Sequence, residues 1–258
     1  MQIIALYNIK GGVGKTTSCV NLAYLAAAEN RRVLLCDLDP QGAASFYLRI
    51  RTPKKFRAKH LLKSQKKITK NIKGTDFPNL ELLPSSFSYR HLDVLLNKKK
   101  HSQYYLKDLL KKFQDDYRYI FIDCPPNLTF VSENIFMAAH LILVPIIPTT
   151  LSVRGYQQLS DFFTKNEYDS RKLLAFFSMV EQRKLLHRQI IMTSTQEHIH
   201  FLRTQIPYSA EVEKMGLFRK PIVVHRPKSK AAQAYEALWQ ELHSVLEKKM
   251  NKKDLNIQ

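Results

Sequence analysis

The chain has 258 residues, 45% of them hydrophobic, and carries 41 Lys+Arg against 22 Asp+Glu, a formal net charge of +19. That length and apolar content can bury a full core, which excludes a disordered basic arm and favours one large α/β domain. Three scattered cysteines, Cys19, Cys36 and Cys124, with no C-x-x-C pair, exclude a disulfide framework and a structural zinc site, so a reduced, cytosolic setting is expected. The chain shows neither a basic-then-apolar leader nor an uncharged apolar run of about 18 residues, so it is expected to be neither exported nor membrane-spanning.

In chain order, residues 2–8 (QIIALYN) read as a strand, IKGGVGKTTS as a glycine loop, and residues 17–29 as a helix with an apolar stripe. Residues 32–36 (RVLLC) form a second strand running into DLDPQG. Residues 51–73 hold ten Lys/Arg and no acid, and are expected to be a basic insertion. Strands follow at 80–83 and 119–122, the latter ending in Asp123-Cys124-Pro125-Pro126, with helices at about 90–96 and 106–113 between them. The remaining pattern is a strand at 141–145, a helix at about 153–164, a strand at 173–180, a helix within about 185–203 and a last helix at about 229–249. Tyr235, Leu238, Leu242, Val245 and Leu246 form one stripe of that last helix, which should dock on the body. A flexible basic tail is expected over about 250–258. Alternation of this kind predicts a mostly parallel sheet with helices on both faces.

The loop carries the chemistry. Gly11, Gly12 and Gly14, with Val13 between them, let successive backbone amides turn around phosphate oxygens at a helix N-terminus. Lys15 supplies a full charge to the β and γ phosphates, Thr16 a hydroxyl for Mg²⁺, and Thr17 opens the helix. Asp37 and Asp39 lie two apart at the end of a strand and Asp123 ends another, where open α/β sheets collect their ligands. The first glycine of the usual P-loop is replaced by Ile9, and a second lysine, Lys10, stands inside the loop. Because Lys15 serves the phosphates of its own subunit, Lys10 either points to solvent or serves a nucleotide held by a second subunit.

KGGVGKT, DxDPQG and the strand-ending Asp123 resemble the deviant Walker A ATPases of the ParA/MinD family, closest to the ParA/Soj partition branch. The resemblance spans residues 3 to about 246 and implies a P-loop NTPase fold in a single ParA-like domain, with ATP and Mg²⁺ as cofactors. It implies that Lys10 reaches across an ATP-sandwich homodimer and that Asp39 positions the attacking water. It further implies that Thr16, Asp37 and Asp123 attend the metal, and that the segment near Pro207 holds the adenine. Turnover would be slow without a partner protein of the ParB or adaptor type. Cys124 finds no second cysteine near a comparable loop, which argues against the iron–sulfur relatives. The tail after Leu246, EKKMNKKDLNIQ, has too little apolar area to insert in a bilayer, which argues against the alternative of a MinD-like membrane-associated regulator.

The +19 charge calls for a polyanion. Without a helix-turn-helix, zinc finger or RNA-reading aromatic motif, the expected mode is phosphate contact with double-stranded DNA regardless of sequence. By segment order Arg183, in VEQRKLLHRQ, falls where family members carry a DNA-contacting arginine, while their following threonine is Lys184 here. A second family arginine is replaced by acid near Glu211, so contact is expected at Arg183, Lys184, Arg188, Arg219, Lys220 and Lys228, or at the 51–73 insertion. The expected function is thus an ATP-dependent partition or positioning ATPase, cytoplasmic and nucleoid-associated, that segregates DNA or positions a cargo.

Overall fold

The computed structural model describes residues 1–53, 55–63, 65–99, 102–196 and 200–255. Seven strands form one sheet in the order β3-β4-β2-β5-β1-β6-β7: β1 (Gln2–Leu6), β2 (Val33–Asp37), β3 (Lys73–Gly74), β4 (Leu80–Leu83), β5 (Tyr119–Asp123), β6 (Leu141–Ile146) and β7 (Leu173–Phe177). All pairings are parallel except that of the two-residue β3 with β4, so the mostly parallel expectation holds. Strands β1, β2, β5 and β6 are near-continuous apolar runs because both of their faces are covered. The helix expected within about 185–203 lies there, as α9 (Leu185–Gln196), and the chain from residue 200 onward runs alongside β7. It adds a partial ladder in which Leu202 and Ile206 donate to Ala175 and Phe177, at 2.7 and 2.9 Å.

One face of the sheet is covered by α1 (Lys15–Ala28), α2 (Ala43–Tyr47) and the C-terminal helices. Helix α1 ends where Asn30 takes φ 57°, its N–H donating to the carbonyl of Ala27. The C-terminal group is α10 (Ala210–Glu213), α11 (Met215–Phe218), α12 (Ile222–His225) and α13 (Lys230–Leu255). Helix α13 lays Tyr235, Leu238, Leu242 and Leu246 against α1, and its Trp239 Nε1 donates to Glu29 Oε1 at 2.6 Å. The helix runs six residues past Lys249, so the expected tail at 250 begins as helix; residues 256–258 lie outside the described residues.

The other face is covered by α3 (Ala58–Leu61), α4 (Gln65–Thr69), α5 (Leu92–Asn97), α6 (Tyr105–Lys111), α7 (Phe130–Ala138) and α8 (Thr150–Lys165). The described residues of the basic stretch at 51–73 pack on this face. Phe56, Ala58, Leu61, Leu62 and Ile68 are buried in this core and the lysines between them face outward. The apolar residues that anchor it stand singly or in pairs among ten basic ones, so charge count alone does not display the pattern. Ile68→Ala should therefore cost about 2–4 kcal/mol in urea unfolding, against less than about 0.5 for the exposed Lys66→Ala.

Candidate functional site

The chain leaves β1 at Leu6 and turns back before entering α1 at Lys15. Asn8, buried, fixes this turn: its Nδ2 donates to the carbonyl of Pro145 on β6 at 2.8 Å and its Oδ1 accepts from the Lys10 amide at 2.9 Å. Gly14 caps α1 at φ +90°, and a Cβ there would lie 2.9 Å from Ser178 Oγ, so only glycine satisfies both the backbone and the close approach. The loop and the helix start together make an anion cradle.

The two loop lysines diverge. Lys15 is buried and its Nζ donates to the Lys10 carbonyl at 2.8 Å. Burial lowers its pKa, while Asp123, Cys124 and Asp39 pull it back up. Lys10 is turned away, its ammonium donating to the Leu151 carbonyl in the first turn of α8. Thr16 and Thr17 are half-buried at the start of α1, and the Thr17 hydroxyl donates to the Gly14 carbonyl at 3.0 Å.

Facing the cradle are two buried carboxylates. Asp37 and Asp123 are register partners at the last positions of neighbouring strands β2 and β5. The amide and hydroxyl of Ser45 both donate to Asp37 Oδ2, at 2.8 and 2.7 Å, but Asp37 Oδ1 and both oxygens of Asp123 have no hydrogen-bond partner. Burial, with a contribution from the Asp39 charge, pushes the Asp37 carboxyl up to about 7 against the Ser45 hydrogen bonds. Burial and then Asp37 push Asp123 well above the carboxylate range, with Thr16 and Lys15 opposing. Buried, unpartnered oxygen donors of this kind call for a cation. Among the described residues no three His, Cys, Asp or Glu side chains are arranged to hold a metal ion by themselves. The set of two carboxylates and one threonine hydroxyl fits Mg²⁺, which keeps waters and phosphate oxygens in its shell rather than an all-protein cage.

Asp39 is half-buried: its Oδ1 accepts from the Gln41 amide at 2.9 Å, and its carbonyl accepts from the Ser85 hydroxyl. The structure thus brings the three aspartates, both lysines and the two threonines to one end of the sheet. Pro207 pairs with Val180 just beyond β7, next to the Ser178 that touches Gly14. All three cysteines are free and buried.

The residues assigned to DNA separate into groups. Arg183, Lys184 and Arg188 are exposed at the start of α9 (Leu185–Gln196), with Lys184 paired to Glu181 at 2.5 Å. Lys228 is exposed before α13. Arg219 and Lys220 are half-buried between α11 and α12; Arg219 donates to the Phe46 carbonyl at 2.9 Å and covers the Phe46 ring at 4.5 Å, tying this turn to α2. Glu211 binds Lys214 and Arg226 at 2.8 and 3.2 Å, so part of the nearby positive charge is neutralised. Asn8, Ser45 and Ser85, which shape the site, carry no motif signal in the sequence.

A phosphate-binding loop after the first strand of a parallel sheet, with acids ending two further strands, defines a P-loop nucleoside triphosphatase. The family model described as an AAA domain matches residues 1–176. The chain is 30% identical over 254 residues to the chromosome partitioning protein ParA of Myxococcus xanthus, covering 93% of this chain and 87% of that protein. It is 29% identical over 248 residues to the sporulation initiation inhibitor protein Soj of Bacillus subtilis, covering 93% of this chain and 98% of that one. The cobyrinic acid a,c-diamide synthase of Mycobacterium smegmatis, solved with an ATP analogue and magnesium, superposes with a TM-score of 0.79 at 27% identity over 93% of each chain. The chain belongs to the ParA/MinD family of ATPases, close to the ParA/Soj branch.

Asp123→Asn replaces an unpartnered buried carboxylate by a neutral isostere. The metal-free protein should keep or raise its melting temperature, while ATP binding should lose its Mg²⁺ dependence by about tenfold or more. Thermal melts and calorimetric titrations with Mg²⁺ and with a chelator check this; undiminished Mg²⁺ dependence would contradict the assignment.

Proposed function

We propose that this chain is a partition-type ATPase that dimerises on ATP, binds DNA without sequence preference through the paired basic faces, and releases it on hydrolysis. The observation that carries the reading is Lys10, a second lysine in the phosphate loop whose ammonium lies outside the cradle that Lys15 serves. A charge placed there is free to meet the phosphates of a nucleotide in a second copy. Its bond to a single carbonyl is readily exchanged for a charge-assisted one.

Within one site, the loop amides and Lys15 hold the β and γ phosphates, and Thr16, Asp37 and Asp123 would hold Mg²⁺. The metal supplies neutralisation of charge on the transferred phosphoryl group. Asp39 leaves its bond to the Gln41 amide and orients a water in line with the γ-phosphorus. Attack forms the new P–O bond as the water's proton passes to an oxygen of the departing phosphate, the bond to the β-phosphate oxygen breaks, and ADP and phosphate leave. No arginine is placed in the cradle by the contacts above, in keeping with slow basal turnover that a ParB-like or adaptor partner accelerates. A cytoplasmic, nucleoid-associated life follows from DNA as the partner. The cargo, whether plasmid, chromosome or protein assembly, is selected by that adaptor.

The basic surface supports DNA rather than a bilayer. No helix among the described residues is long and apolar enough to cross a membrane, and the last two turns of α13 are rich in lysine. Binding of a nonspecific duplex should be tight with ATP and weak with ADP or no nucleotide, and tightest for Asp39→Ala held with ATP. With about six phosphates contacted per dimer, the salt slope should be about −5. A fluorescence-anisotropy titration in the three nucleotide states reads both; equal affinity in ATP and ADP would sink the proposal. Retention on anionic vesicles instead of DNA would favour the membrane-regulator alternative.

A further inference from the structure

Beside the turn that carries Asp39 lies a cleft of about 700 Å³, lined by none of the phosphate-loop residues. Its walls bring together Arg51, Arg57 and Arg219, the rings of Phe46 and Phe87, and Ser85. Among the described residues no carboxylate lines it, and neither Arg51 nor Arg57 has an ion-pair partner. Three positive charges around a concavity with no carboxylate in its lining focus a potential that draws anions, Asp39 on the neighbouring turn being the nearest acid described above. The rings are unusually open for their size, Phe46 at 50% and Phe87 at 64% exposure. Arginines already sit over them, Arg219 on Phe46 at 4.5 Å and Arg90 on Phe87 at 4.2 Å. Such arginine-backed rings are the platforms on which planar bases stack. The volume suits a small molecule.

The cleft is joined to the hydrolytic machinery. The Ser85 hydroxyl donates to the Asp39 carbonyl. The Ser85 amide donates to Ser45 Oγ at 3.0 Å, and that hydroxyl donates onward to Asp37 at 2.7 Å. Thr52, from the arginine-bearing wall, donates to the Ser85 carbonyl at 2.6 Å. Anything seated against this wall therefore bears on the backbone of one aspartate and the side chain of another.

We infer that this cleft binds a free nucleotide-sized ligand, a planar base carrying at least two phosphates, and that the bound ligand slows hydrolysis by holding Asp39, through Ser85, in its bond to the Gln41 amide. The second half rests on the assignment of Asp39 proposed above; the first does not. Wild-type protein saturated with ADP and Mg²⁺, to fill the phosphate loop, is titrated calorimetrically with adenosine 3′,5′-bisphosphate. One further site per chain is expected, weakened about tenfold or more in Arg51→Gln and in Arg57→Gln, with inorganic pyrophosphate binding more weakly because it lacks the base. In steady-state ATP turnover, the bisphosphate should slow the wild type by about threefold and leave Arg51→Gln unaffected, although the two turn over equally without it. No additional site, or one indifferent to both arginine variants, would overturn the proposal. A ten-residue oligo(dT) that binds tighter than the bisphosphate and is lost in the same variants would also overturn it, in favour of single-stranded nucleic acid. Binding without any change in turnover would overturn the regulatory half alone. A protein that fails to bind duplex in an ATP-dependent way would still give the calorimetric result, so the two failures are distinct.

Discussion

Two carboxylates buried side by side, at the last residues of adjacent strands and short of hydrogen-bond partners, set the terms for the rest of the molecule. Asp37 and Asp123 are register neighbours, and between them three oxygens have no donor. In a dry site such a pair stays protonated or draws in positive charge. Its surroundings meet that need only in part: Lys15 is close but its own ammonium is disfavoured by burial, and Ser45 serves one oxygen of one acid. On the function proposed above, a metal-bound polyphosphate would complete the balance, its cation meeting the acids and its anion the loop, and nucleotide binding would relieve an electrostatic conflict built into the sheet.

The same constraint explains the architecture around it. The acids must end parallel strands at one edge of the site, so β2 and β5 have to be neighbours and β1 has to lie beside β5 to bring its loop alongside. Asn8 and Gly14 then hold that loop against β6 and Ser178, which leaves Lys15 inward and Lys10 outward. The hydroxyl chain through Ser45 and Ser85 extends the site sideways to the basic 51–73 stretch, which is packed on the sheet by Phe56, Leu61 and Ile68.

Much of this was legible in the sequence because glycines, strand-ending acids and apolar runs each have one economical structural meaning. The order strand, KGGVGKT, helix places the cradle, and DLDPQG and Asp123 place the acids at strand ends. The misreadings came where one signal masked another. Ten basic residues in 51–73 concealed a helical apolar pattern, and the lysine-rich end of α13 read as tail although lysine is a good helix former. The residues from 200 onward find hydrogen bonds on β7, a pairing that no apolar period announces. Contacts such as Ser45 with Asp37 or Arg219 with Phe46 join residues 8 and 173 positions apart, and nothing local in the sequence announces them.

The account turns on whether the outward lysine of the loop acts between two copies. The direct measurement is the molar mass in solution, by light scattering, of Asp39→Ala and of Lys10→Ala/Asp39→Ala with saturating ATP and Mg²⁺, alongside ATP affinity for each. The prediction is twice the 30.1 kDa chain mass for Asp39→Ala and the single-chain mass for the double variant, with ATP still bound by both. An ATP-dependent dimer that forms equally well without Lys10 would contradict it.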